Sequence, residues 1–283
     1  LPFQELAVRT GATLKWFDLD SEGRILSNTA DEVITERTKI VAVTHVGNTT
    51  GAITDIAPMV KRAHEVGAVV VLDACQSVPH LKINLHALDV DFAAWSAHKM
   101  YGPTGVGFLY GKRDMLEALP PANFGGSMVE LAWMDQEAQY MAPPARFEAG
   151  TQPVAQVVAA GVAAEWLMNI GMENLEAHER VIAGELLKMG QIDGVRILGP
   201  QTNEQRIGTV AFEIDGVHPH DVGQFIDAQG IAIRVGHHCA QPVHRHFGVY
   251  ASNRASSGIY NSVEDAQALV EALKKVRPFF GVE

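Results

Sequence analysis

Short, continuous apolar runs separated by a helical pattern are the feature that most limits how this chain can fold. Between the first two runs, Ile56 to Val66 has helical periodicity and ends at Gly67, a favourable residue after a helix. The runs are Ile40–Thr44, Ala68–Leu72, Phe92–Trp95 and Val106–Tyr110. Short strands without polar alternation indicate a sheet covered on both faces, and therefore the α/β class with a mostly parallel sheet.

The remaining elements divide the chain into three predicted parts. Besides a helix near the start (Phe3 to Arg9), the segment from Pro120 to Pro144 is rich in turns. Predicted later elements are helices Pro153–Asn169, 173–189, His220–Ala228 and Val263–Val276, and strands Val195–Leu198, Thr209–Ile214 and Ile231–Arg234. We expect a large domain over residues 1–150, connecting helices over 151–189, and a smaller α+β domain over 190–283.

Composition narrows the class of protein. With 283 residues, 47% of them hydrophobic, the chain can bury a sizeable core. Its net charge of −11 disfavours nucleic acid or an anionic membrane as a partner. A run of about 18 apolar residues, as a membrane span needs, does not occur. The two cysteines, Cys75 and Cys239, suit a reducing cytoplasm better than a disulfide framework.

Polar residues gather where the predicted strands end, which is where ligands collect in α/β sheets. Asn48, Asp73, His98 and Lys99 all follow such strands. A lone lysine in a loop is most often only solvated, but Lys99 lies in Ser96-Ala-His-Lys99 before a glycine-rich turn. Its amine suits a Schiff base to pyridoxal 5′-phosphate, and Ser96 and His98 suit the phosphate.

Cys239 lies in a histidine-rich segment, Gly236-His-His-Cys-Ala-Gln-Pro242. A free cysteine is commonly a buried structural thiol, but the preceding histidines favour an accessible loop and a nucleophilic role. A metal site is the other alternative, formed by His237, His238, Cys239, His244 and His246. We expect no metal, because adjacent His-His-Cys is too crowded to supply three ligands to one tetrahedral ion.

Six motifs, in order along the chain, resemble one known family. They are Val43-Thr-His-Val-Gly-Asn-Thr-Thr-Gly51, Val71-Leu-Asp-Ala-Cys-Gln-Ser77, Ser96-Ala-His-Lys-Met-Tyr-Gly-Pro-Thr-Gly105, Arg146-Phe-Glu-Ala-Gly-Thr151, Arg234-Val-Gly-His-His-Cys-Ala-Gln-Pro242 and Arg254-Ala-Ser256 with Tyr260-Asn261. The chain is similar to SufS-type (group II) cysteine desulfurases and selenocysteine lyases, which are class V aminotransferases of fold type I. The resemblance implies that roughly the N-terminal third of that fold is absent from this chain.

The resemblance also implies roles around the cofactor. Asp73 would pair with the pyridinium nitrogen, which makes the ring a better electron sink, and Gln76 would bond the ring hydroxyl oxygen. Asn48 would contact the cofactor as well. Thr151 would reach the phosphate held by a neighbouring subunit, so a homodimer is expected. Taken alone, Asp73 and Thr151 are equally compatible with ordinary turn residues.

The expected substrate is L-cysteine. Arg254, with Arg234 as a weaker second cation, suits its carboxylate because a guanidinium fork matches a carboxylate bidentately, and Asn48 is a further substrate candidate. A surface salt bridge is the alternative for Arg254. The expected products are alanine and a persulfide on Cys239, whose sulfur would supply iron–sulfur cluster assembly.

Three further hypotheses stay open at this point. A selenocysteine lyase would use the same apparatus, and an inactive fragment would only bind partners. The expected sulfur acceptor is a small protein of the SufE or zinc-bearing SufU type. His220 of Val217-His-Pro-His-Asp221 is the candidate contact for a zinc-bearing acceptor, although His218 and His220 also suit plain helix capping.

Overall fold

The computed structural model describes residues 1–282 of the chain. Its α-helices, in chain order, are α1 (Pro2–Thr10), α2 (Ala30–Val33), α3 (Ala57–Glu65), α4 (Arg113–Ala118), α5 (Val154–Ile170), α6 (Met172–Leu187), α7 (Pro219–Asp227), α8 (Gln241–His246), α9 (Val263–Leu273) and α10 (Val276–Phe280). Its strands are β1 (Ile40–Thr44), β2 (Val69–Asp73), β3 (Phe92–Ser96), β4 (Gly107–Gly111), β5 (Val129–Leu131), β6 (Gln139–Tyr140), β7 (Val195–Ile197), β8 (Thr209–Ile214), β9 (Arg234–Gly236) and β10 (Ser252–Ser256).

These elements pack into two compact units. The first, here called the lysine unit, comprises residues 42–44 and 69–175 and contains Lys99. The second, here called the cysteine unit, comprises residues 1–41, 45–68 and 176 onward and contains Cys239. The domain division expected at residues 150 and 190 stays a prediction about folding units. By their internal contacts, residues 1–41 and 45–68 belong to the same compact unit as the residues from 176 onward.

The lysine unit contains a four-stranded mixed sheet in the order β1-β2-β3-β4. Strands β2 and β3 are parallel, whereas β4 returns antiparallel to β3. Only residues 97–106 join β3 to β4, which is too short for the crossover that a parallel return requires. Leu72 and Ala93 are fully buried, so the continuous apolar runs are covered as the sequence predicted. The α/β class is confirmed.

The cysteine unit contains an antiparallel sheet in the order β7-β8-β10-β9. Its core joins the strand residues Val210 and Phe212 to Ile226 of α7 and Leu269 of α9. The polar run Ser252–Ser256 forms the inner strand β10, which the apolar pattern did not predict. Its position between β8 and β9 places Arg254 beside Arg234, because those two residues are paired across the strands.

Two predicted elements differ from the structure. The strand expected over Ile231–Arg234 is wrong, since β9 begins at Arg234, where pairing with β10 starts. The strand forms where the chain pairs with β10, and not over the apolar residues that precede Arg234. The helix expected over Val263–Val276 stops at Leu273, and α10 follows. Pro278 explains the break, because its ring would clash with the carbonyl of Lys274 in a continuous helix.

The turn-rich segment after Pro120 contains a small two-stranded sheet of β5 and β6 that the sequence did not predict. Among the described residues, no single helix is both long and apolar enough to cross a bilayer. The pair formed by α5 and the helical segment Met172–Gln191 meets that test jointly, by length and composition, but it is bent by 78°.

Candidate active site

Lys99 ends a single 3-10 turn, Ala97–Lys99, that directly follows β3. The carbonyl oxygen of Ala97 accepts hydrogen bonds from the backbone nitrogens of Met100 and Gly102, both at 2.9 Å. Ala97 and Met100 are buried, whereas His98 and Lys99 are exposed between them. The turn is therefore anchored by its apolar residues and presents its two basic side chains to solvent.

Asp73 lies next to this turn because β2 and β3 are parallel. It is the last residue of β2 and pairs with Ala94 of β3, two residues before Ser96. One carboxylate oxygen, Oδ1, accepts a 3.0 Å hydrogen bond from the backbone nitrogen of Cys75. The carboxyl edge of these two strands thus contains a carboxylate, a hydroxyl and an amine.

The pKa of the Cys75 thiol shows that Asp73, Ser96 and Lys99 all lie near it. Its half-buried thiol lies 3.9 Å from the carbonyl oxygen of Ala94. Burial raises the pKa of this thiol, and the carboxylate of Asp73 raises it further, while Lys99 and Ser96 act in the opposite direction. Asp73, Ser96 and Lys99 therefore act on one sulfur atom. The raised pKa makes Cys75 a weaker nucleophile than an ordinary thiol.

Two further predicted cofactor residues belong to the lysine unit. Gln76 is half-buried in the turn that follows Cys75, and Thr151 is exposed just before α5. Their predicted contacts with the ring hydroxyl and with the phosphate of a neighbouring subunit stay predictions. The donor set itself suits pyridoxal phosphate: Lys99 offers an amine for its aldehyde, Asp73 a carboxylate for its ring nitrogen, and Ser96 and His98 donors for its phosphate.

Cys239 lies in a sharp turn of the cysteine unit, after β9. Its side chain is exposed, and its neighbour His238 is buried. His238 and Cys239 both adopt left-handed backbone conformations, with φ of 51° and 60°. Such conformations cost non-glycine residues roughly 1–2 kcal/mol each, so neighbouring contacts must hold the turn in place.

Asn48 provides one of those contacts. Its side-chain Nδ2 donates a 2.6 Å hydrogen bond to the carbonyl oxygen of His238. The turn that carries Asn48 closes at Gly51, whose φ is 70°. A Cβ atom at Gly51 would lie 2.3 Å from the carbonyl oxygen of Thr209, so only glycine fits. Asn48 thus positions the cysteine turn, while its predicted contacts with cofactor and substrate stay predictions.

Arg254 is the side chain predicted to bind the carboxylate of the substrate. Its Nη1 donates a 2.9 Å hydrogen bond to the carbonyl oxygen of Asn48. Its Nε is buried and has no hydrogen-bond partner among residues 1–282. Burial and then the charge of Arg234 lower the pKa of Arg254, while the sulfur of Cys239 acts in the opposite direction. The Arg254 guanidinium, with one unpaired N–H, therefore lies within electrostatic range of the Cys239 thiol.

The histidines around Cys239 have structural partners. His238 Nε2 and His244 Nε2 lie 3.0 Å and 2.9 Å from the hydroxyl oxygen of Ser252, and His246 Nε2 lies 2.8 Å from the carbonyl oxygen of Asp20. Burial, followed by the charges of Arg254, His244 and Arg234, lowers the pKa of His238 to about 4. In the described part of the chain, no three His, Cys, Asp or Glu side chains are arranged to hold a metal ion.

His218 and His220 differ in the structure. His218 is the N-cap of α7, and its Nδ1 accepts a 3.2 Å hydrogen bond from the backbone nitrogen of His220. The capping interpretation therefore holds for His218. The imidazole of His220 is exposed and lies 3.4 Å from the side-chain nitrogen of Gln224. Its predicted contact with an acceptor protein is untested by this geometry.

Sequence reasoning missed Ser252 and the positioning role of His244. Ser252 carries no motif signal, because it belongs to a polar strand that the apolar pattern did not indicate. His244 was considered only as a metal ligand, yet its Nδ1 lies 3.0 Å from the carbonyl oxygen of Ala240. A polar run before Arg254 was the one available hint that buried hydrogen bonds occur there.

Comparison with known proteins decides the family. The family model described as aminotransferase class-V matches residues 1–269. The chain belongs to this family. Class V aminotransferases use pyridoxal phosphate, so the cofactor expected from the sequence is confirmed at the level of the family.

The sequence is similar to those of cysteine desulfurases over nearly its whole length. The probable cysteine desulfurase 2 of Mycobacterium leprae is 49% identical over 284 residues, which cover 100% of this chain and 67% of the relative. The cysteine desulfurase of Haloferax volcanii is 41% identical over 279 residues, covering 98% and 65%. The chain thus spans about two thirds of the length of these relatives.

Solved structures show the same fold. The cysteine desulfurase CsdA of Escherichia coli superposes with a TM-score of 0.93 at 35% identity, covering 98% of this chain and 69% of that one. The cysteine desulfurase of Thermococcus onnurineus has a TM-score of 0.93 at 33% identity, with the same coverage. The predicted resemblance to cysteine desulfurases and the pyridoxal-phosphate-dependent transferase fold are confirmed.

Proposed function

We propose that this chain is a cysteine desulfurase that converts L-cysteine to L-alanine and retains the sulfur on Cys239. One observation carries the proposal: an exposed thiol is held in a strained turn within electrostatic range of Arg254, a half-buried guanidinium whose fork suits a carboxylate. A nucleophile beside a receptor for an amino-acid carboxylate suits attack on an amino acid. The names of the relatives support the same activity.

The side chains have separate roles in this reaction. Pyridoxal phosphate, when bound, supplies an aldehyde that takes up an amine and a ring that withdraws electrons. Lys99 Nζ would hold the cofactor and would move the substrate α-proton, and Asp73 would offer its carboxylate to the ring nitrogen. Arg254, assisted by Arg234, orients the substrate carboxylate.

Sulfur transfer is the step assigned to Cys239. Its thiolate attacks the sulfur of the substrate cysteine, so a sulfur–sulfur bond forms as the substrate carbon–sulfur bond breaks. The electron pair of the broken bond stays on the substrate carbon, which takes up a proton to give alanine. Overall, L-cysteine and the Cys239 thiol become L-alanine and a Cys239 persulfide, so no external oxidant or reductant is required.

The finer assignments are part of the proposal. We infer a SufS-type enzyme that supplies iron–sulfur cluster assembly through a small acceptor of the SufE or zinc-bearing SufU type. A reducing compartment such as the cytoplasm suits it, because Cys75 and Cys239 are both free thiols. A homodimer is supported by α5, which exposes Val158, Val162 and Trp166, since a helix apolar on all sides is normally buried.

A direct assay tests the proposal. The chain, supplied with pyridoxal phosphate, is incubated with L-cysteine or with L-serine as the control amino acid. Alanine release from cysteine alone is expected, together with one added sulfur atom on the peptide that contains Cys239. Alanine release without sulfur on that peptide would contradict the role of Cys239. Absence of alanine from a cofactor-loaded chain would contradict the proposed activity.

A further inference from the structure

Ser252 lies between two imidazole rings beneath the Cys239 turn. The residue is fully buried on β10. Its hydroxyl oxygen is 3.0 Å from His238 Nε2 and 2.9 Å from His244 Nε2. A hydroxyl group both donates and accepts, so one serine can join two neutral imidazoles.

The partners determine where the protons lie. The carbonyl oxygen of Ala240 only accepts, so His244 Nδ1, 3.0 Å away, must carry a proton. In a neutral ring, His244 Nε2 then accepts a hydrogen bond from the Ser252 hydroxyl. Ser252 Oγ in turn accepts from His238 Nε2. The hydrogen bonds thus run in one direction, from His238 through Ser252 and His244 to Ala240.

These hydrogen bonds hold the two residues that flank Cys239 in the sequence. His238 precedes Cys239 and Ala240 follows it. The carbonyl oxygens of these two flanking residues both accept side-chain hydrogen bonds. Asn48 donates to the first at 2.6 Å, and His244 donates to the second at 3.0 Å. Ser252 joins the His238 ring to the His244 ring, so it couples the two ends of the left-handed turn.

We propose that Ser252 is a positioning residue for Cys239: its hydroxyl couples His238 to His244 and so fixes the turn that presents the thiol. Loss of the hydroxyl uncouples the ends of the turn and lets the thiol leave the neighbourhood of Arg254. A small displacement of a reacting group lowers rate strongly, because orientation supplies a large share of catalysis. In its kinetic consequence this inference rests on the proposed desulfurase activity.

Three substitutions isolate the hydroxyl. Ser252→Ala removes it, Ser252→Thr keeps it, and Ser252→Val has the shape of threonine without it. Ser21→Ala is the matched control, because it removes the hydroxyl of an exposed serine in the same unit. We expect kcat for alanine formation to fall about tenfold in the alanine and valine variants with KM changed less than twofold. The threonine variant should stay within about twofold of the parent protein.

A second measurement does not depend on turnover. Iodoacetamide alkylation at neutral pH is followed by mass spectrometry for the Cys239 peptide, with Cys75 in the same molecule as internal reference. The rate at Cys239 relative to Cys75 should fall about threefold in Ser252→Ala and Ser252→Val, because the turn no longer holds the thiol in its exposed position, and should be restored in Ser252→Thr. If the parent protein releases no alanine, the desulfurase proposal fails while this measurement still tests the positioning role.

The outcomes that overturn the inference are specific. A folded Ser252→Val protein with parental kcat and parental Cys239 alkylation would reject it. Equal losses in the threonine and valine variants would also reject it, because bulk rather than the hydroxyl would then matter. Should Ser252→Ala and Ser252→Val not fold, His244→Leu breaks the same link from its other end, because leucine has no hydrogen-bonding group, and parental alkylation of Cys239 in that variant would overturn the proposal.

Discussion

The side-chain nitrogen of Asn48 lies 2.6 Å from the carbonyl oxygen of His238, although 190 residues separate them in the sequence. This hydrogen bond attaches the turn after β1 to the turn that carries Cys239. Arg254 reinforces the arrangement by donating from Nη1 to the carbonyl oxygen of Asn48. Asn48 thus contacts both the turn that carries Cys239, the proposed nucleophile, and Arg254, the cation proposed to bind substrate.

Lys99→Ala is expected to abolish covalent cofactor attachment and leave the fold intact, because the exposed side chain makes no core contacts. The measurement is borohydride treatment of the cofactor-loaded protein, followed by the search for a reduced cofactor bond. Lys82→Ala is the matched control, since Lys82 is an exposed lysine of the same unit. A reduced adduct in Lys99→Ala would show that another amine holds the cofactor.

Cys239→Ser separates cofactor binding from sulfur transfer. We expect cofactor uptake and the spectral response to L-cysteine to persist, because Lys99 and Asp73 are unchanged. Persulfide should not accumulate, and alanine formation should fall by at least about a hundredfold, as for loss of an essential nucleophile. Alanine formation at the parental rate would exclude Cys239 as the acceptor, whereas activity on selenocysteine alone would favour a selenocysteine lyase.

The sheets show how far the sequence predicts this fold. Strands β1, β2 and β3 were predicted to within a residue or so, because buried parallel strands are continuous apolar runs. Strand β10 was not predicted, because Ser252, Asn253 and Arg254 lack apolar periodicity. The burial of Ser252 and Asn253 depends on partners distant in sequence. Local pattern indicates a strand only where its own side chains form the core.

The candidate site follows the same rule. Asp73 and Lys99 were predicted from their places at strand ends, and the parallel pairing of β2 with β3 brings their elements together. The link from His238 through Ser252 to His244 has no sequence signal, because three polar residues at unremarkable spacing become neighbours only when β9 and β10 pair. The places of the motif residues at strand ends were predictable, whereas the buried hydrogen bonds of the cysteine turn were not, and the catalytic roles stay predictions.

Asp91→Ala should destabilise the lysine unit by about 3 kcal/mol. The buried carboxylate accepts a 2.7 Å hydrogen bond from the backbone nitrogen of Val70 and lies 2.9 Å from Lys112 Nζ. Removal leaves a buried N–H without an acceptor. Asp89→Asn is the control: this exposed carboxylate contacts the same lysine at 2.6 Å, asparagine tolerates the left-handed backbone at this position (φ 54°), and the change should cost less than about 1 kcal/mol. Urea unfolding measures both, and equal losses would contradict the assigned importance of burial.

The low pKa of His238 predicts that acid weakens the cysteine unit. The folded ring titrates at about 4, while an unfolded histidine titrates near 6.5. Between these values the unfolded chain binds more protons, so stability is present above about pH 6.5 and is lost as pH falls towards 4. The loss should be about 2 kcal/mol, measured by urea unfolding at pH 7 and pH 4.5.

His238→Gln is the comparison for that measurement. It should unfold with a shallower pH dependence, because it lacks the ring that must stay neutral in the folded protein. His45, another buried histidine with a lowered pKa, is present in both proteins, so its contribution cancels in the difference. An identical pH dependence in the two proteins would refute the assignment to His238.

His220→Ala should abolish stimulation by a zinc-bearing sulfur acceptor while basal alanine formation changes less than twofold. The imidazole is exposed at the start of α7, and imidazole is a common zinc ligand, so exchange of one ligand would free an acceptor thiolate. Asp227→Ala, at the other end of the same helix, is the matched control and should be stimulated normally. The measurement is alanine formation from L-cysteine with increasing acceptor. Full stimulation of His220→Ala would reject this contact and leave helix capping by His218 as the function of the pair.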